Sequence, residues 1–272
     1  MAIDYPGLLE DLEVESAVLD ARLAGLTHVR WDLQTPAAEW TIADQVSHLA
    51  FFDDAATLSG VDPDRFRIEA DGLIATGVDF ASIVAERYRS RSGDELLAWF
   101  REARRKVLTV FGEIEPRTRL PWYGLPMSAA SMITARLMET WAHGQDIADA
   151  LHQTVEPSMR LRHIAHLGVQ TFRFSFENRR LDAPVSVPYV ALEAPDGSEW
   201  TWGDSAAPSS VRGPAPDFCL VVTQRRAVED TELVRIGEAA ERWLQFAQAF
   251  AGPPLSDRGP AGTEMADKQQ GG

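Results

Sequence analysis

Cysteine is almost absent from this chain: Cys219 stands alone among 272 residues. A lone thiol excludes an internal disulfide and any all-thiolate zinc cage, and it suits a reducing compartment. Base is scarce too. Lysine and arginine number 26 against 41 acidic residues, and the resulting net charge of −15 would repel a nucleic-acid backbone and an anionic membrane surface alike. No stretch approaches the ~20 consecutive apolar residues that a membrane span needs. The opening Met-Ala-Ile-Asp-Tyr-Pro carries acid where a secretory signal carries base and an apolar run. The expectation is a cytoplasmic protein with neither nucleic-acid nor membrane partners.

What is present suffices for a sizeable core, since 45% of the residues are hydrophobic. Leu8, Leu9, Leu12, Val18, Leu19 and Leu23 recur at spacings of three and four, which predicts a first helix over Pro6–Leu26. Thr41 stands three residues before Asp44 as a capping box, so a second helix should run to about Leu58. Gly60 to Gly77 is punctuated by Pro and Gly and reads as a loop with at most a short helix. A third helical region, Asp79 to Phe111, should break at Ser92, which forms a second capping box with Glu95. Glu115 to Pro126 holds three prolines and cannot be helix; it leads into a fourth helix, Met127 to Leu151. Four helices with one long connection predict an up-down bundle.

Beyond Glu156 the pattern changes. A helix over Pro157–Phe176 precedes a strand over Val185–Glu193. Asp196-Gly197 signals a hairpin turn, with Glu199–Trp202 as the return strand. Gly203–Pro216 reads as a polar loop, Asp217–Thr223 as another strand, and Glu229–Phe250 as a helix turning Leu233, Ile236, Trp243 and Phe246 inward. The fold class expected is α+β: a helix bundle over residues 5–155, a small α+β domain over 156–252, and a disordered tail over 253–272.

The chemistry concentrates in Glu139-Thr-Trp-Ala-His143-Gly-Gln-Asp146. Residues four apart on a helix share a face, so Glu139 presents a carboxylate beside the His143 imidazole. Such a pair suits a divalent cation, though a pair at this spacing is also common on a solvated helix face. A third ligand must come from elsewhere, and His48 on the second helix is the best candidate; its plain alternative is a satisfied core histidine. Asp146 continues the stripe, either as an acceptor that orients His143 or as a fourth ligand. Arg136, three residues before Glu139, could neutralise that carboxylate or a substrate's, against the plain reading of a surface arginine. Trp122, Tyr123 and Trp141 border the site in sequence and could wall a pocket. His163 and His166 lie three apart but lack a carboxylate or cysteine at ligand spacing. Cys219, within Phe-Cys-Leu-Val-Val, reads as a small buried hydrophobe.

Trp40-Thr-Ile-Ala-Asp-Gln-Val-Ser-His48-Leu resembles the histidine-bearing second helix of the DinB-like superfamily. Glu139-Thr-Trp-Ala-His143-Gly-Gln-Asp-Ile147 resembles the ligand helix of its mycothiol-dependent maleylpyruvate isomerase branch, where Glu-x-x-x-His replaces the His-x-x-x-His of other branches. The similarity covers about residues 5 to 155. The C-terminal part resembles the wyosine-base-formation-type appendage of actinobacterial relatives. The resemblance implies a divalent metal held by His48, Glu139 and His143 with a position left open; zinc is the first choice, and nickel and iron accept the same donors. It also implies mycothiol as co-substrate, deprotonated at the metal for attack on a small electrophile, so that the protein is an S-transferase or isomerase. The electrophile would sit between bundle and appendage. The competing reading is a non-catalytic DinB-like metal- or ligand-binding protein.

Overall fold

The computed structural model describes residues 4–77 and 80–252. They form two compact units that divide between Glu156 and Pro157. Residues 253–272 and Asp79 lie outside the described residues.

In the first unit, α1 (Tyr5–Leu23) buries Leu8, Leu12, Leu19 and Leu23, and a short α2 (His28–Trp31) follows. The expected capping box opens α3 (Ile42–Val61): the Asp44 N–H donates to Thr41 Oγ1, and the Thr41 N–H donates to the Asp44 carboxylate at 2.9 Å. Between Gly60 and Gly77, where a loop with at most a short helix was expected, most of the chain is α4 (Pro63–Ile74). Pro63 falls in the first turn, where its missing N–H costs nothing, and Asp62 caps it by accepting the Arg65 N–H. Phe66, Ala70 and Leu73 then give it a buried stripe. The third helical region breaks at Ser92 into α5 (Phe80–Arg87) and α6 (Gly93–Gly112), with the predicted capping box in place. Gly93 is required there, because an added Cβ would fall inside the Trp31 indole.

The non-helical connection carries a two-stranded ribbon, β1 (Arg119–Leu120) against β2 (Met127–Ser128). Because Met127 and Ser128 pair in this ribbon, α7 (Ala129–Ala150) starts two residues later than the sequence suggests, capped by Ser128 on the Ser131 N–H. The four long helices α1, α3, α6 and α7 close a ring, each packing on two others. Their shared core includes Leu19, Val46, Leu49, Phe100 and Ile147.

One buried charge cluster joins all four. Arg104 of α6 grips the fully buried Asp53 of α3 with Nε and Nη2, at 2.8 and 3.2 Å, and also donates to Ser16 of α1 and Thr140 of α7. No helix among the described residues is long and apolar enough to cross a membrane.

The second unit begins with α8 (Leu161–Gln170) and α9 (Phe172–Glu177), where one helix was expected. Thr171 separates them; its hydroxyl bonds back to the carbonyls of Leu167 and Gly168, a contact that bends helices. The hairpin forms from β3 (Tyr189–Glu193), four residues shorter at its start than the expected Val185–Glu193, and β4 (Glu199–Trp202), with Gly197 at φ +80° in the turn. The stretch read as a polar loop contains β5 (Ser210–Pro214), which pairs in parallel with β3.

Two further readings fail here. Asp217–Thr223 is not a strand: Asp217 to Val222 belong to α10 (Ala215–Val222), and Thr223 is its C-cap. Phe218 to Val222 is apolar without a break, so the sequence shows no period there, and Pro216 in the first turn favours a helix start. Glu229–Phe250 is not one helix: a 3-10 turn over Val228–Asp230, β6 (Val234–Ile236) and α11 (Glu238–Leu244) divide it. Gly237 at φ +84° cannot continue a helix, and Ile236, expected inward, is 54% exposed. The sheet order is β4-β3-β5-β6. Cys219 lies fully buried on α10, and burial pushes its thiol well above the usual range.

Candidate metal centre

α3 and α7 pack side by side in the bundle, and their facing sides carry the three residues singled out above. Glu139 Oε2 lies 3.0 Å from His143 Nε2 and 3.6 Å from His48 Nε2. The two imidazole centroids are 4.5 Å apart. One donor atom from each residue falls within 4.8 Å of the others, the one such group of three found among the described residues. Donors bound to one cation at about 2.0–2.2 Å in a tetrahedron lie about 3.3–3.6 Å from each other, and the two separations measured to Glu139, 3.0 and 3.6 Å, lie at or just below that edge length. Both histidines are buried and Glu139 is half-buried.

The electrostatics also fit a cation. Burial pushes the His48 imidazolium down to about 4, helped by His143 and opposed by Glu139; the ring is therefore neutral, which is the ligating form. For Glu139, burial alone would raise the carboxyl, but His143, His48 and Arg136 outweigh it and hold the group well below the usual carboxylate range. Trp40 stacks on the His143 ring at 5.9 Å and 11°, and Phe52 lies 4.6 Å from the His48 ring. Beyond Phe52 the aromatic wall continues to Trp122 and Tyr123 from the β1–β2 connection. Trp141 is buried on α7, and the rings against the triad are Trp40 and Phe52 instead.

Arg136 is no surface residue: only 4% of it is exposed. Its Nη1 lies 4.0 Å from Asp53, whose oxygens Arg104 already holds, and its Nε and Nη1 are buried without a hydrogen-bond partner. Asp146 is fully buried, with Oδ2 3.9 Å from His143 Nδ1. The atom in hydrogen-bond contact with that nitrogen is Gln45 Oε1, from a residue that sequence reasoning passed over. The available signal was its place on the same helix, three residues before His48. His163 and His166 belong to the other unit, on α8, where His166 Nδ1 accepts the Trp202 indole N–H.

Residues 12–148, which span the whole triad, match the mycothiol maleylpyruvate isomerase N-terminal domain. The chain belongs to this family. It is the DinB-like branch to which the two motifs pointed. Two uncharacterised proteins of Mycobacterium tuberculosis, from strains CDC 1551/Oshkosh and H37Rv, are each 44% identical over 250 residues, covering 92% of this chain and 97% of theirs. Two solved structures share the fold. A mycothiol-dependent maleylpyruvate isomerase aligns with TM-score 0.59 and 10% identity over 86% of this chain and 93% of its own. A histidine-to-alanine variant of such an enzyme aligns with TM-score 0.57 and 11% identity, over 80% and 88%.

Proposed function

We propose that this family member is a divalent-metal-dependent S-transferase or isomerase that uses a mycothiol-type thiol and a small electrophilic substrate. The observation that carries the reading is the convergence of His48, Glu139 and His143 from two helices at spacings suited to one cation. Three protein donors leave a tetrahedral cation one position for an exogenous ligand, the mark of catalytic rather than structural sites. A metal held there, with zinc first among the candidates, would lower the pKa of a thiol taking that position and so supply thiolate at neutral pH.

The chain's own residues do the rest. Trp40 and Phe52 shield the two rings from water, which strengthens the electrostatics of the site. His143 and His48, with Arg136 behind them, keep Glu139 ionised, and the Arg136 charge makes an environment that draws a substrate carrying a carboxylate. Cys219 takes no part, since it is buried in the other unit with its thiol protonated.

The test is optical. Cobalt-loaded protein should show visible bands of a four- or five-coordinate site, and adding mycothiol should bring a sulfur-to-metal charge-transfer band. Cobalt bands that ignore the thiol would leave a metal-binding module and remove the transferase.

A further inference from the structure

His143 has two ring nitrogens, and the metal reading requires that Nε2 offer a lone pair to the centre. A neutral imidazole carries its proton on one nitrogen or the other, and the partner of the outward nitrogen decides which. The deciding chain runs through three residues. The Trp40 carbonyl can only accept, so the Thr35 hydroxyl, 2.8 Å away, donates to it. That hydroxyl has then spent its one proton and accepts from the Gln45 amide nitrogen, also at 2.8 Å. With its NH₂ turned to Thr35, Gln45 must turn its oxygen to His143, where it meets Nδ1. An amide oxygen facing a ring nitrogen requires N–H on that nitrogen. Gln45 is fully buried and Thr35 nearly so, so water offers the amide no ready alternative.

We infer that Gln45, oriented by Thr35, is a positioning residue that selects the Nδ1–H tautomer of His143 and thereby aims the Nε2 lone pair at Glu139 and His48. This deepens the metal reading and rests on it for its purpose, but the tautomer is a property of the metal-free chain as well. Without a cation, the Nε2 lone pair would face the Glu139 carboxylate at 3.0 Å, lone pair against lone pair. A proton or a metal ion between them relieves that conflict. Gln45 thus builds a site short of one positive charge.

The experiment uses the full chain with ¹⁵N-labelled histidine, stripped of metal and studied at alkaline pH, where the ¹⁵N shifts themselves identify the neutral ring. Long-range ¹H–¹⁵N correlation should show His143 as the Nδ1–H tautomer. Gln45→Leu should move it to Nε2–H, donated to Glu139, and weaken Zn²⁺ binding 10- to 100-fold in competition with a chromophoric chelator, the loss typical when a ligand's hydrogen-bond partner is removed. Gln45→Glu, which keeps an acceptor oxygen, should restore both the tautomer and the affinity. Thr35→Val, nearly isosteric, frees the amide to turn and should give a mixture of tautomers, which covers the case in which Gln45→Leu folds poorly. An Nε2–H tautomer in the unsubstituted protein, or a tautomer indifferent to Gln45→Leu and Thr35→Val, overturns the inference. So does Zn²⁺ affinity unchanged in a folded Gln45→Leu. If no variant and no parent binds Zn²⁺ while the tautomers behave as described, the assignment of Gln45 stands and the metal-dependent function falls.

Discussion

His48→Ala is expected to abolish thiol-dependent turnover and to weaken divalent-metal binding by more than about 100-fold, the upper range for loss of a mere supporting partner. Glu139 and His143 would remain, four residues apart on α7, but two donors from one helical turn do not enclose a cation. The fold should survive. Removing His48 takes away a side chain whose Nδ1 has no hydrogen-bond partner, so no buried polar group is stranded by its loss except the Glu139 oxygen, which keeps the positive charge of Arg136 nearby. Circular dichroism and thermal unfolding beside a metal titration check both halves. Retained metal affinity in the variant would remove α3 from the site.

The second large effect is on stability. Arg104→Met should destabilise the bundle by about 3–5 kcal/mol, the usual result of stripping one partner from a buried ion pair. Asp53 would keep only Arg136, at 4.0 Å, and Ser16 and Thr140 would lose a charged donor. Because this cluster is where all four long helices meet, the loss should appear as a lower denaturation midpoint of the first unit in urea. The double variant Asp53→Leu/Arg104→Met should recover part of it, since a buried charge then disappears along with its partner. Recovery is partial because Arg136 loses Asp53 as well. A single variant as stable as the parent would show the cluster to be energetically idle.

Thr140 links that cluster to the site, for it accepts from Arg104 and is the neighbour of Glu139 in α7. Stability and geometry are therefore joined at one helical turn. The charged network holds the backbone of α7 against α3, and the ligand side chains project from the same segment.

How far the sequence carries varies along the chain. Both capping boxes were readable because Thr41/Asp44 and Ser92/Glu95 act within four residues, and local chemistry decides them. The i, i+4 pair on α7 was readable for the same reason. The meeting of α3 with α7 needed only the bundle topology that four amphipathic helices impose. Arg104 was invisible: it sits in Arg101-Glu-Ala-Arg104-Arg105-Lys106, a run that reads as a solvated face, and only burial separates it from its neighbours. Gln45 was hidden because a lone glutamine in a mixed stretch, between Asp44 and Val46, carries no periodic signal.

In the second unit the errors have separate causes. Phe218–Val222 is a continuous apolar run, so helix and strand leave the same trace in it, and tertiary packing against α8 chose between them. Gly237 ends the expected long helix through its backbone angle, which composition does not report. The resemblance to the isomerase branch rested on α3 and α7 and not on these elements.

The most direct test of the account is X-ray absorption at the zinc edge on the full chain loaded with one equivalent of Zn²⁺ and no added thiol. The account predicts a shell of nitrogen and oxygen at about 2.0–2.1 Å, with the outer-ring scattering of two imidazoles and no sulfur. Scattering from fewer than two imidazoles, a sulfur at about 2.3 Å, or failure to retain the equivalent of zinc would contradict it.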